Sequence, residues 1–334
     1  MSIRSRLLLD NFTLALIATV VAASFLPSSP MTIHAVDQVA MLGVSVLFFL
    51  YGARLSRQAI VAGLGHWRLH VMVAASTFVM FPLLGLGLQP LLEPLVTPEL
   101  YLGILFVCVL PSTVQSSIAF TAIARGNLPA AICSASLSNL AGVFLTPMLV
   151  SALIVAQQEA GAASASDAVL RIMAQLFLPF VAGQMARRWI GNWMDRYKSL
   201  LAPIDQGVIL LVVFAAFSEA VAEGMFGQLP LQAMLALLVA CVLLLALAMI
   251  LTTYASRRLG FSREDEIAIV FCGSKKSMAS GIPMAKVLFA SSSVGLIVLP
   301  LILFHQIQLM VCAVLAQRYA QRAAAPIEAL AEGS

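Results

Sequence analysis

Apolar residues run through this chain in long blocks separated by short polar or charged breaks. The blocks fall at residues 11–27, 37–53, 70–92, 100–123, 128–156, 169–186, 202–220, 231–254, 265–287 and 293–316. A helix needs about 20 mainly apolar residues to cross the hydrocarbon core of a bilayer. The pattern therefore predicts ten transmembrane helices. Composition narrows the class: 61% of the 334 residues are apolar, 10% are Asp, Glu, Lys or Arg, and the mean hydropathy is +0.99. A soluble domain is about 25% charged. This balance excludes a cytosolic enzyme, a nucleic-acid binder and a disordered chain, and predicts an all-α polytopic membrane protein. Arg4 and Arg6 followed by an apolar run resemble a signal peptide with Val21-Ala22-Ala23 at its end; the same segment serves as the first span.

Charge placement tests the count. With the N-terminus inside, 15 of the 19 basic residues fall on inside segments, among them Arg54, Arg68, Arg125, Arg187, Arg257, Arg258 and Arg318. Outside loops carry Asp37, Glu93, Glu99, Glu159, Asp167, Glu219 and Glu223, with only Arg171 and Lys286 at helix ends nearby. This asymmetry follows the positive-inside rule. It predicts a multi-pass inner (plasma) membrane protein with both termini cytoplasmic. Ten spans divide as five plus five, at 1–156 and 157–334. An odd-numbered half sets the second half upside down, which is the inverted-repeat plan of secondary transporters. The fourth span of each half should then match. The five cysteines all lie in apolar runs and read as buried apolar residues.

Spans 4 and 9 are the most interrupted. Span 4 carries Pro111-Ser112-Thr113-Val114-Gln115-Ser116-Ser117, and span 9 carries Cys272-Gly273-Ser274-Lys275-Lys276-Ser277 and then Ser280-Gly281-Ile282-Pro283. Such residues at mid-depth free backbone groups, which must then be buried in protein or line a polar cavity. A matched pair of interrupted spans points to a binding site. Lys275 lies about 16 Å into its span, near the bilayer midplane, too deep to snorkel easily. Each intramembrane charge costs roughly 2.5–3.5 kcal/mol on insertion scales. No acidic residue lies at mid-depth. Either an organic anion supplies the counter-charge, or a lysine is held neutral and proton coupling follows.

Span 10 adds His305, Gln306 and Gln308, and span 5 adds Ser134, Ser136, Ser138 and Asn139. These are cavity lining or interhelical hydrogen-bond partners. The candidate substrate and ion ligands are Lys275, Lys276, Ser274, Ser277, Gln115, Ser116, Ser117, Thr113, Asn139, His305, Gln306 and Thr77. An intramembrane enzyme would need paired aspartates or a serine with its base. Ser274 or Ser277 beside the lysines reads only weakly as such a dyad. A scaffold or regulator of ion handling without transport is the remaining class. The leading expectation is a secondary transporter of a small or amphipathic organic anion. A proton-coupled or sodium-independent exporter stands next. Neither a metal nor a cofactor is expected beyond sodium or a proton as coupling ion.

Pro111 with its small polar run, then Ala124-Arg125-Gly126-Asn127 and Leu145-Thr146-Pro147, resembles spans 4 and 5 of the bile acid:sodium symporter family. The stretch from Val270 to Lys286, with Gly-Ser-Lys-Lys-Ser, is similar to a bile-acid-symporter-like branch of it. The resemblance covers nearly the whole chain. It implies two inverted five-helix repeats, a panel of helices 1, 2, 6 and 7, a core of helices 3–5 and 8–10, and unwound spans 4 and 9 that cross. It also implies alternating access. The family's sodium ligands carry over poorly. A glutamate that bridges two sodium ions becomes Phe271, and a following Gln-Asn pair becomes Lys275-Lys276. A Ser-Asn pair matches Ser116-Ser117, two hydroxyls fall at Ala131 and Ala135, and a glutamine falls at Thr77. A lysine ammonium in the vacated place would make transport sodium-independent.

Overall fold

The computed structural model describes residues 11–25, 30–54, 66–153, 162–222, 224, 229–289 and 294–331. Arg4, Arg6, Arg57, Glu159 and Glu223 of the charge map lie outside them, as do the side chains of Asp167, Arg171, Lys198 and Arg322 and the expected repeat boundary. Where its residues are described, every apolar block falls on one helix or on a run of consecutive helical pieces. In chain order these are α1 (Asn11–Phe25), α2 (Pro30–Arg54), α3 (Trp67–Ala75), a π turn (Ser76–Met80), α4 (Phe81–Gly87) and the short α5 (Gln89–Leu92). There follow α6 (Pro98–Val109), α7 (Gln115–Ile123), α8 (Leu128–Leu153), α9 (Ala162–Arg196) and α10 (Lys198–Ala222). The last are α11 (Leu231–Arg258), α12 (Arg263–Gly273), α13 (Met278–Leu288) and α14 (Val294–Ala331).

Among the described residues, six helices are long and apolar enough to cross a membrane by themselves, and α6 and most of α1 form shorter apolar helices. The interrupted spans fall short for a physical reason. α12 and α13 have 11 residues each, so each reaches about 16 Å at 1.5 Å per residue, half of a bilayer core. Large apolar side chains such as Leu42, Leu178, Val239 and Ile250 face outward, while Ser112, Ser117, Lys275, Lys276 and Gln308 are buried. This inverts the soluble pattern, as lipid solvation requires.

Two groups of helices can be told apart by packing. α1, α2, α9 and α10 pair chiefly with one another. The α2–α9 approach is set by glycine: a Cβ on Gly52 would lie 1.9 Å from the Phe180 carbonyl oxygen, and one on Gly183 would lie 1.9 Å from that of Phe49. Arg54 pairs with Asp205, and the Arg187 guanidinium donates to the Ala53 carbonyl at 2.6 Å. The second group gathers α3, α4, α6–α8 and α11–α14, with α6 against α14 and α12 against α3, α7, α8 and α11. The turn from α7 into α8 holds this group's basic end. Arg125 takes a left-handed conformation (φ +59°) while Gly126 N–H donates to the Thr121 carbonyl, closing α7 with a six-to-one bond. Asn127 then caps α8 through Ala130 N–H and donates its side-chain amide to Asp265 at 2.7 Å.

Candidate functional site

Prolines create the site by removing hydrogen-bond donors. In the π turn, Phe81 N–H bonds the Ser76 carbonyl. The next donor in register would be residue 82, which is proline and has no N–H. The Thr77 carbonyl is thereby left without a helical partner. At the end of α6, Leu110 N–H turns back to the Val107 carbonyl, Pro111 has no donor, and Ser112 N–H goes to Ser138 Oγ at 3.0 Å. The carbonyls of Cys108, Val109, Leu110 and Pro111 all need partners. Buried polar groups left unpaired cost about 1–3 kcal/mol each.

Groups from elsewhere in the chain supply them. Thr146 Oγ1 donates to the Val109 carbonyl at 2.8 Å, and Ser277 N–H donates to that of Pro111 at 2.8 Å. Lys276 takes the rest: its ammonium donates to the carbonyls of Thr77, Cys108 and Leu110, each at 2.8 Å. Phe81 closes a fourth side, with its ring centroid 4.2 Å away. An ammonium has three N–H groups, so Lys276 is fully used. Two of its acceptors lie at the C-terminal end of α6, the negative end of the helix dipole. The sequence offers only an organic anion or a neutral amine as an answer to buried charge; for Lys276 the structure supplies backbone carbonyls instead.

The other broken helix is satisfied in return. Ser112 Oγ donates to the Cys272 carbonyl at 2.5 Å and Ser117 Oγ to that of Phe271 at 2.9 Å. Gln308 clamps the unwound turn: its Oε1 accepts Lys276 N–H and its Nε2 donates to the Lys276 carbonyl, both at 2.9 Å. The Gln308 amide also reaches His305 Nδ1 at 2.8 Å. Thus the break between α6 and α7 and the break between α12 and α13 lie against each other and share their hydrogen bonds.

Lys275 sits in the same crossing with different company. It is fully buried. Its ammonium lies 3.3 Å from Ser116 Oγ, 4.3 Å from the Phe120 ring centroid and 5.7 Å from that of Phe271. Among the described residues it has one hydrogen-bond acceptor and two aromatic faces, and two N–H groups remain for another acceptor. Ser116 is part-exposed and Gln115 exposed. Thr113 Oγ1 bridges Ser116 and Ser117 at 2.8 and 2.9 Å.

The structure thus brings Lys275, Lys276, Thr113, Ser116, Ser117, Ser277 and Gln115 to one crossing. Asn139 joins through Ser280, whose hydroxyl donates to Asn139 Oδ1 at 2.7 Å. Thr77 contributes its carbonyl only, since its hydroxyl bonds Val73. Ser274 Oγ donates to the Val270 carbonyl, and Ser277 Oγ pairs with Ser280 as the cap of α13. Neither serine is hydrogen-bonded to a lysine ammonium. His305 reaches the crossing through Gln308, and Gln308, rather than Gln306, makes the clamp. Of the three residues whose carbonyls hold Lys276, Thr77 is a candidate ligand and Cys108 and Leu110 are not. Pro82 and Pro111 are the signal that points to them.

The profile of the SBF-like CPA transporter family matches residues 10–321. An uncharacterized protein of Pseudomonas aeruginosa is 64% identical over 329 residues, covering 98% of both chains. The Escherichia coli protein YfeH, named provisionally as a symporter, is 50% identical over 312 residues, covering 93% of each. Sodium/bile acid cotransporter 7-B of Xenopus laevis is 29% identical over 330 residues, covering 94% of this chain and 93% of its own.

Proposed function

The chain belongs to the SBF-like CPA transporter family, and from that premise we propose that it carries a small organic anion across a membrane by alternating access. In this reading ten passes form two inverted repeats, the group of α1, α2, α9 and α10 acts as the panel, and the second group is the core that moves against it. Lys275 is the anion ligand and Lys276 is a fixed strut. The observation that carries the assignment is the contrast in their partners. Lys276 has spent all three N–H groups on carbonyls, whereas Lys275 has one hydroxyl at 3.3 Å. The N-termini of α7 and α13 both begin at the crossing, and half-helix N-termini suit anionic groups.

Purified protein in liposomes tests this with taurocholate and smaller carboxylates and sulfonates. A hydrogen bond to a charged group contributes about 1.5–3 kcal/mol, so Lys275→Met is expected to lower uptake by about tenfold or more. Uptake that survives Lys275→Met sinks the assignment.

A second reading concerns the coupling ion. Where the family resemblance puts sodium ligands, this chain has Phe271, Ala131 and Ala135, and a tethered ammonium occupies a ring of carbonyls. Transport independent of sodium follows. Isotope flux with and without sodium decides it: strict sodium dependence of the wild-type protein would rule it out.

A further inference from the structure

We propose that Lys286, Asp37 and Glu219 form a latch that closes one end of the crevice between the two helix groups and must break whenever the transporter opens there. The inference rests on the alternating-access reading above. Lys286 lies in the last turn of α13 and its side chain is 5% exposed. Its ammonium pairs with Asp37 of α2 and stands 3.9 Å from Glu219 of α10. One cation of the core thus ties two panel helices.

The location gives the contact its meaning. Asp37, Glu219 and Lys286 mark one end of the molecule; Arg54, Arg68, Arg125, Arg187 and Arg257 mark the other. At this basic end each polar contact given above stays inside one group: Arg54 with Asp205 and Arg187 with Ala53 in the first, Asn127 with Asp265 in the second. Two more hold the second group there, Arg257 with Glu266 and Arg68 with the Leu259 carbonyl. At the level of the crossing, Tyr51 Oη donates to the Ala279 carbonyl at 3.3 Å. From there to the acidic end the groups are packed together. α13 lies on α2, α9 and α10. α14 also presses on α10, where a Cβ on Gly295 would stand 2.8 Å from the Ala216 carbonyl oxygen. The basic-end halves of the broken spans, α7 and α12, have no comparable packing on the first group. Among the described residues the two groups pack on each other toward the acidic end more than at the basic end, and Lys286 forms an ion pair across that packed end.

Opening the acidic end must draw α13, and Lys286 with it, away from the carboxylates of Asp37 on α2 and Glu219 on α10. Accessibility of the crossing therefore reports the latch without any substrate. Ala279→Cys, on an exposed residue, is read with a membrane-impermeant maleimide in a Cys133→Ala background, applied to each side of oriented vesicles. Labelling of Ala35→Cys identifies the acidic side. Lys286→Met is expected to raise the labelling rate from that side by about fivefold or more. The pair Asp37→Asn and Glu219→Gln is expected to do the same, and Lys286→Asp with Asp37→Lys is expected to restore the slow rate. Should Lys286→Met not yield monodisperse protein, the neutralised pair and the swap carry the test. Monodisperse variants that label at the wild-type rate overturn the latch, as does a swap that fails to restore it. Labelling that responds in a protein carrying no solute in liposomes would instead sink the transport reading and leave the latch standing.

Discussion

Lys275 and Lys276 are neighbours in the chain, carry the same charge and are equally buried, yet one is held by three carbonyls and the other by a single hydroxyl and two rings. The difference arises in the unwound turn between α12 and α13. In a regular helix adjacent side chains point about 100° apart; here the Gln308 clamp fixes the backbone at Lys276 and sends its ammonium to the end of α6. Lys275 is sent toward α7. What the pair teaches is that a buried charge is read from its spare hydrogen-bonding capacity, not from burial alone. A saturated ammonium is a structural pin. An unsaturated one keeps N–H groups that no described residue fills.

The largest effect should come from removing the pin. Lys276→Met leaves the carbonyls of Thr77, Cys108 and Leu110 unpaired, at about 1–3 kcal/mol for each buried acceptor. It is expected to lower the thermal midpoint in detergent steeply or to abolish folding. A midpoint within a degree or two of wild type would erase the contrast between the lysines. Next comes Lys275→Met. Few native bonds are lost and a buried charge is relieved, so thermal stability is expected to hold or rise, while stabilisation by added organic anions disappears. A fall in stability as large as that of Lys276→Met would make Lys275 a second pin. Gln308→Leu removes two bonds to the Lys276 backbone and should cost about 1–3 kcal/mol, with anion uptake weakened because Lys275 is no longer aimed. The smallest expected change is Thr146→Val. It withdraws one hydroxyl from the Val109 carbonyl, about 1 kcal/mol, and leaves uptake intact; a drop in uptake there would show that the α6 terminus also positions the anion.

Much of this is legible in the sequence. The apolar blocks marked the helices because lipid admits few charges, and the two polar interruptions marked the breaks because Pro and Gly weaken a helix wherever they stand. Lys275 and Lys276 stood out for their depth. What could not be read was how each lysine is satisfied, since Thr77, Cys108 and Leu110 act through carbonyls that every residue possesses. Gln308 looked no different from Gln306 until packing turned one of them inward. Lys286 and Glu219 were visible as charges at helix ends, but 67 residues separate them in the chain, and only packing of α13 on α10 joins them.

The sequence by itself determined the solvent, the helical class, the basic and acidic ends, and where the backbone would come unwound. These follow from local chemistry: hydropathy, charge count, and the missing N–H of Pro82 and Pro111. The tertiary structure decided which lysine is spent and which is spare, and at which end the two groups are tied. Those depend on which orphaned carbonyls and carboxylates come within about 4 Å of an ammonium, a distance set by the meeting of helices far apart in the chain.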